Sequence, residues 1–191
     1  MISNVTRTIE IHIPRTGGRS RRSLFTDVDP RIFHGGHRPV SEFLAYFGDD
    51  AKFAQYFSYA FIRNPWERIA SLYHWVRRQR AYNAHQLEFP AWLAQMYQHG
   101  KGHLSRSQWD TIAVGGEVKV DFVGRFERME KDWRVVADRA GLPRTLPRIN
   151  NNDPYPHYST VYDEAARQMV EEREAGIIRY AGYRFEREDG G

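Results

Sequence analysis

The sequence predicts a three-layer α/β fold built around a mostly parallel sheet. Segments with the length and composition of strands occur over residues 8–13, 56–62 and 119–126. Each precedes a segment in which apolar residues recur with helical spacing. Strand–loop–helix units in series are typical of a parallel sheet covered by helices. The chain has 191 residues, the length of one ordinary domain, and we expect residues 1–191 to form it.

The predicted strands differ in their patterns of apolar residues. The first, TIEIHI over residues 8–13, alternates apolar with polar residues and ends at Pro14. The second, over residues 56–62, is continuously apolar and aromatic, which is typical of a strand covered on both faces. Residues 31–38 are predicted to form a short strand or a turn, and residues 119–126 a third full strand.

Helices are predicted where apolar residues recur every three or four positions and Gly or Pro marks an end. The predicted helices cover residues 19–26, 40–48, 65–81, 88–98, 128–140 and 161–175. Pro65 suits the first position of its helix, because the N–H that proline lacks would have no partner there. That helix carries an apolar stripe of Trp66, Ile69, Tyr73 and Val76. Residues 100–117 and 144–159 are expected to form an excursion and an irregular segment.

The net charge is mildly basic, and arginine carries most of the positive charge. Lys and Arg total 28 and Asp and Glu total 24, which gives a net charge of +4. Arginines cluster at Arg15, Arg19, Arg21 and Arg22, and again at Arg77, Arg78 and Arg80. Arginine favours planar, bidentate contacts with phosphate or sulfate, so the composition predicts an anionic partner. It does not distinguish nucleic acid, a membrane surface or a small phosphate ester.

Several classes of site are excluded or disfavoured. The chain has no cysteine, which excludes disulfides, thiolate metal sites and a cysteine nucleophile. It has no apolar run of about 18 residues, and its first residues are too polar for a secretory signal, so we expect a cytoplasmic protein without a membrane span. The string G-x-x-x-x-G-K-[ST] of nucleotide triphosphatases is absent, and no Asp/Glu cluster suggests a Mg²⁺ site.

A Gly-rich loop follows the first strand and is a candidate anion site. Glycines let the backbone approach an oxyanion, and amides at the start of a helix point toward it. The loop and its borders also supply cationic and hydroxyl groups from Arg15, Thr16, Arg19 and Ser20 around Gly17 and Gly18. The residues alone leave two interpretations open: an anion-binding loop, or a Gly-Gly turn beside a solvated basic patch.

A second candidate site follows the second strand. Arg63 lies at the strand end, and Ser71 lies two turns into the next predicted helix. Together they are able to hold one phosphate, provided that the chain bends between them. The alternative is a structural arginine and an ordinary helix serine.

The segments that carry these sites resemble the carbohydrate-type (family 2) sulfotransferases that depend on PAPS, 3′-phosphoadenosine 5′-phosphosulfate. IHIPRTGGRS resembles their 5′-phosphosulfate loop, usually a P-K-T-G-G-T-S-like string. FSYAFIRNPWERIASLY resembles their 3′-phosphate motif, in which a Ser follows an Arg by eight residues. VDFVGRFERMEKDW and the later IIRYAGYRF are similar to the end of the family's domain. The resemblance extends over residues 9–185 and implies a P-loop-like sandwich.

The resemblance also implies roles for individual residues. Arg15 stands where the family places a Lys, at the oxygen that bridges phosphate and sulfate. The 5′-phosphate would be cradled by Thr16, Gly17, Gly18, Arg19 and Ser20. Arg19 stands where the family commonly has Thr. Arg63 and Ser71 would bind the 3′-phosphate. The product would be 3′-phosphoadenosine 5′-phosphate, and no metal is required.

Transfer to a hydroxyl also needs a base, and histidine is the usual choice because its pKa lies near neutrality. Related carbohydrate sulfotransferases carry a Gly-His before a helix in this region, and that His acts as the base. His37 follows Gly36 and is our first choice, with His34 second. A metal pair formed by these two histidines is disfavoured, because no third ligand is evident.

The leading hypothesis is therefore an enzyme that moves sulfate from PAPS to a carbohydrate-like or other small acceptor. We expect no nucleic-acid partner and no membrane partner. One alternative is a non-enzymatic binder of nucleic acid or another polyanion, which predicts steep salt dependence and tolerance of mutation at Ser71. Another is a divergent nucleotide-dependent kinase, which would require ATP and Mg²⁺.

Overall fold

A computed structural model describes residues 1–27, 36–99, 104–149 and 155–186, and strands and helices alternate along them. The strands are β1 (Ile2–Ser3), β2 (Thr8–Ile11), β3 (Phe57–Ile62), β4 (Ala113–Val114), β5 (Glu117–Val118) and β6 (Phe122–Arg125). The helices are α1 (Gly18–Arg22), α2 (Val40–Phe47), α3 (Asp50–Phe53), α4 (Pro65–Arg78), α5 (Phe89–His99), α6 (Gln108–Ile112), α7 (Met129–Ala140), α8 (Glu164–Arg173) and α9 (Ala175–Ala181). Short 3₁₀ helices cover Phe126–Arg128 and Tyr158–Val161.

The central sheet has the strand order β1-β2-β3-β6. β2 and β3 pair in parallel, as do β3 and β6, whereas β1 is antiparallel at the edge. The register places Glu10 of β2 opposite Tyr59 of β3, and Ile62 of β3 opposite Arg125 of β6. These pairings confirm the predicted α/β class with a mostly parallel sheet.

The structure divides into two compact units. The first comprises Met1–Ile62 and Trp109–Asn151, and the second comprises Arg63–Gln108 and Asn152–Gly191. The first unit contains the central sheet, and its core joins aromatic side chains of β3 to α7. In the second unit, α4 packs among α5, α8 and the 3₁₀ helix Tyr158–Val161. The expectation of one sulfotransferase-like domain over residues 1–191 stays a prediction.

Helix α4 has the features that the sequence predicts. Pro65 is its first residue, and Asn64 caps it by accepting hydrogen bonds from the backbone N–H groups of Trp66 and Glu67 at 3.1 and 3.3 Å. The predicted apolar stripe is buried in the core of the second unit. The helix ends at Arg78, three residues before the predicted end.

Other elements differ from their predicted bounds. Helix α1 is shorter than predicted, because the N–H groups of Leu24 and Phe25 bond to carbonyls three residues earlier and tighten the last turn. The predicted helix over 161–175 corresponds to α8 (Glu164–Arg173), and α9 beyond it was not predicted. The backbone leaves helical geometry at Glu174 (φ −104°, ψ 13°), whose buried carboxylate is bound by Arg68.

The predicted excursion contains short elements, and a 3₁₀ helix begins at Tyr158, near the end of the segment 144–159 that was predicted to be irregular. The excursion over residues 100–117 includes α6 and the hairpin β4–β5, which turns at Gly115 and Gly116. Both glycines have positive φ, which glycine adopts without steric cost. Most of the predicted segment 31–38, and residues 150–154, lie outside the described residues.

No helix in the described part of the chain combines the length and the apolar character needed to cross a membrane.

Candidate functional site

The Gly-rich loop curls tightly between β2 and α1. Arg15 and Gly17 both have left-handed backbone conformations, with φ of 68° and 78°. Between them, the Thr16 hydroxyl donates a hydrogen bond to the Ile13 carbonyl at 2.8 Å. Left-handed residues beside right-handed ones turn successive backbone N–H groups toward one side, which is the geometry of anion-binding nests. A non-glycine residue such as Arg15 adopts this conformation uncommonly.

Gly18 is required by a close approach inside the first unit. A Cβ atom at this position would lie 1.9 Å from Cε1 of the His12 ring, which is far inside van der Waals contact. The ring of His12 is buried and therefore covers the residue with which α1 begins. The second glycine of the motif thus allows the strand end and the helix start to pack together.

A buried ion pair holds the loop onto the sheet. Arg21 and Glu10 are both 0% exposed, and the Nε and Nη2 atoms of Arg21 lie 3.1 and 2.7 Å from Glu10 Oε1. The same guanidinium donates to the Thr16 carbonyl and lies 4.3 Å above the Phe61 ring. Arg21 therefore supports the loop from its buried side. The sequence groups it with the basic cluster, but its charge is already neutralised by Glu10.

The charge state of Glu10 follows from these contacts. Burial raises the pKa of the Glu10 carboxyl, whereas Arg21 and the nearby His12 ring lower it. The net result is a pKa well below the ordinary value, so Glu10 is ionised at neutral pH. The sequence signal for such a partner is a glutamate in the middle of an isoleucine-rich strand, and Glu10 was not among the predicted site residues.

The remaining predicted loop residues lie nearer to solvent. Arg15 and Ser20 are half-buried, and Arg19 is exposed. The Ser20 hydroxyl accepts a long hydrogen bond from the backbone N–H of Ile149 at 3.5 Å. The loop thus combines a fixed backbone with cationic and hydroxyl side chains at its outer side.

His37 lies beside this loop in the first unit. Its ring stacks on the ring of His12, with ring centroids 4.6 Å apart and planes inclined by 27°. The preceding residue, Gly36, accepts a hydrogen bond from Arg22 Nη2 of α1 at 3.0 Å. Two independent contacts therefore tie the first-choice base to the loop, whereas His34 lies outside the described residues.

Arg63 belongs to the second unit and is buried, with 6% of its surface exposed. Its Nη2 atom lies 2.6 Å from Glu67 Oε1 and donates to the Tyr155 hydroxyl at 3.3 Å. Burial lowers the pKa of this guanidinium, but Glu67 outweighs burial and raises it. Ser71 is buried on α4, the helix that also carries Glu67. The structure thus holds Arg63 beside a carboxylate that was not among the predicted site residues.

The backbone of Arg63 is fixed by a buried polar network. The Gln108 side chain accepts from the Arg63 N–H and donates to the Arg63 carbonyl, both at 2.9 Å. The Gln108 N–H in turn donates to Glu174 Oε2 at 2.9 Å, and Arg68 binds the other carboxylate oxygen at 2.5 Å. This network joins residues far apart in the sequence and gives Arg63 a single backbone position.

The described residues offer no group of three or more His, Cys, Asp or Glu side chains placed to hold a metal ion. The predicted loop residues and His37 all lie in the first unit, and Arg63 and Ser71 lie in the second.

Comparison with known proteins places the chain in a family. An uncharacterized protein of Archaeoglobus fulgidus is 31% identical over 102 residues, which are 51% of this chain and 79% of that protein. No solved structure matches the chain. A family profile described as "Sulfotransferase family" matches residues 26–181, beginning just after the Gly-rich loop. Because this match covers most of the chain, the protein belongs to the sulfotransferase family.

Proposed function

We propose that the protein transfers the sulfuryl group of PAPS to a hydroxyl of a carbohydrate-like or other small acceptor. Family membership supports sulfotransfer, and the conformation of the Gly-rich loop supports an anionic donor. The loop is the observation that carries the proposal, because its left-handed residues Arg15 and Gly17 give it the backbone conformation that is typical of anion-binding nests. We also propose the three-layer, P-loop-like sandwich that the resemblance implies.

In this proposal the loop residues bind the part of PAPS that becomes the leaving group. The bond between sulfur and the bridging oxygen breaks, and negative charge develops on the 5′-phosphate. Arg15 offsets that charge, and Thr16, Gly17, Gly18, Arg19 and Ser20 hold the 5′-phosphate. As in phosphoryl transfer, positioning and electrostatic stabilisation supply most of the catalysis.

Arg63 and Ser71 bind the 3′-phosphate in this proposal. The supporting observation is that Arg63 is charged and fixed at its backbone by Gln108. A phosphate has to share or displace the carboxylate of Glu67, which now lies 2.6 Å from the guanidinium. Glu67 is only partly buried, so its side chain has room to turn toward solvent.

His37 is the proposed general base. The acceptor oxygen forms a bond to sulfur, and its proton passes to the His37 imidazole. The supporting observation is the position of His37 beside the loop, where the Arg22 contact to Gly36 and the His12 stack hold it. A cytoplasmic location and a small or glycan acceptor stay predictions.

An acceptor screen with radiolabelled PAPS tests the proposal. We expect label to move to at least one hydroxyl compound, and we expect His37→Ala to bind 3′-phosphoadenosine 5′-phosphate normally while losing transfer. His99→Ala is the matched control, because His99 lies exposed at the end of α5. Unchanged turnover in His37→Ala would exclude His37 as the base. A pool of sugars, phenols and alcohols that yields no labelled product would count against sulfotransfer.

A further inference from the structure

His12 is the buried histidine that the proposed reaction does not use. It follows β2 directly, and three groups of the first unit lie close to its ring. Gly18 of the loop lies against it so closely that no Cβ fits between them. The His37 ring stacks on it at 4.6 Å. Its Nδ1 atom lies 3.4 Å from Glu10 Oε1. His12 therefore links the anion loop, the proposed base and the buried carboxylate within one unit.

We propose that His12 is a positioning residue for His37, and that its aromatic face both orients the His37 ring and supports that ring when it becomes protonated. This inference rests on the proposed function, in which His37 accepts the proton of the acceptor hydroxyl. His12 itself contacts neither the donor nor the acceptor in this account.

The groups around His12 explain why it is suited to this role. Glu10 faces it from its own strand, Arg21 and Arg22 face it from α1, and His37 lies over its ring. Burial lowers the pKa of His12 to about 4, although Glu10 opposes that shift. His12 is therefore neutral at pH 7, and a neutral ring attracts a cation held against its face. A second protonated imidazole at this distance would repel one.

The stack also fixes the orientation of the His37 ring. An imidazole attached at a loop turns about two side-chain torsions, and only one orientation presents a ring nitrogen to the acceptor. Contact with a buried ring that packs against Gly18 removes much of that freedom. Small displacements of a reacting group lower turnover strongly, so the support of His37 affects kcat more than the affinity for the donor.

Two substitutions separate the aromatic face from the polar contact. His12→Asn retains a hydrogen-bonding group toward Glu10 but removes the ring. His12→Phe retains a ring but removes the polar contact. Far-ultraviolet circular dichroism and urea unfolding identify any variant that fails to fold. The wild type also provides a test without substitution, because nuclear Overhauser contacts between the two imidazole rings report the stack directly.

NMR of the histidine side chains supplies a readout that does not depend on activity. In His12→Asn we expect the His37 ring protons to lose their upfield ring-current shift and the His37 pKa to fall by about half a unit. We expect kcat to fall about tenfold while the KM for PAPS is unchanged. His12→Phe should keep the ring-current shift and most of kcat.

The possible failures are distinguishable. If the wild-type rings show no contact, or if His12→Asn leaves the His37 shift and pKa unchanged, the proposal for His12 is overturned. The same conclusion follows if His12→Asn retains full kcat while His37→Ala has none. If His37→Ala itself retains full kcat, the base assignment fails and the role of His12 in catalysis fails with it, whatever the NMR spectra of the His12 variants show.

Discussion

Arg21→Met tests whether the loop is held on the sheet by a buried ion pair. Methionine keeps much of the apolar stem of arginine but removes the guanidinium. The substitution therefore leaves the Glu10 carboxylate, which is 0% exposed, without the two contacts at 3.1 and 2.7 Å. It also removes a donor from the Thr16 carbonyl and so loosens the loop where Thr16 turns.

The expected loss is large. Removing one partner of a buried ion pair destabilises a protein by about 3–5 kcal/mol when the buried charge is left uncompensated, and we expect the lower end of this range because Arg22 Nε remains 3.6 Å from Glu10 Oε2. That is a major fraction of the roughly 5–15 kcal/mol that holds an ordinary domain together. Glu10→Gln in the Arg21→Met background should recover a substantial part, since the amide carries no charge. Arg19→Met is the control: Arg19 is exposed on the same helix, and we expect a change within about 0.5 kcal/mol.

Urea unfolding at several pH values provides the assay. In the wild type the pKa of Glu10 is depressed, so its stabilisation is present above the unfolded-state pKa and is lost as pH falls through the lower folded-state pKa. Without Arg21 the folded-state pKa of Glu10 rises, because burial still raises this pKa while the lowering effect of Arg21 is gone. The deficit of Arg21→Met relative to wild type should therefore shrink as pH falls. A deficit below about 1 kcal/mol, or one independent of pH, would refute the assigned pair.

The other predictions concern packing at the loop and the proposed 3′-phosphate site. Gly18→Ala should destabilise the protein by about 1–3 kcal/mol through its clash with His12, and an unchanged urea midpoint would contradict the close approach. Gln108→Leu removes both hydrogen bonds that fix the Arg63 backbone, so it should lower the preference for adenosine 3′,5′-bisphosphate over adenosine 5′-phosphate. An unchanged ratio of the two Kd values would argue against a role of Gln108 in positioning Arg63. Glu67→Gln should tighten bisphosphate binding about fivefold, since a carboxylate near the phosphate is removed, and weaker binding would show that this carboxylate assists.

Local sequence patterns were sufficient to predict the strands and the helix that carry the proposed sites. The first strand, the continuous apolar strand before Arg63 and the Pro65 helix start are all properties of neighbouring residues. The structure confirms each element, although the first strand ends at Ile11, two residues before its predicted end. The same holds for the parallel sheet, because strand–helix alternation constrains how strands connect. The proposed roles of the site residues rest on the resemblance and stay predictions.

Contacts between distant residues were not predictable in this way. The Glu10–Arg21 pair turns an apparent surface charge into a buried one, and periodicity does not show which arginine turns inward. The stack of His12 on His37 joins a strand end to a separate loop. Helix α9 was not predicted, and the carboxylate of Glu174, the residue between α8 and α9, binds Arg68 and the Gln108 N–H far away in the sequence.

Isothermal titration calorimetry with 3′-phosphoadenosine 5′-phosphate tests the central claim most directly. If the chain uses PAPS, the wild type should bind this product at micromolar concentrations, and should bind adenosine 5′-phosphate more weakly. Arg15→Ala and Arg63→Ala should each weaken binding of the bisphosphate at least about tenfold, as expected for lost charge-assisted hydrogen bonds to phosphate. No heat of binding at micromolar concentrations, from a wild type shown to be folded, would contradict the assignment of PAPS as the donor.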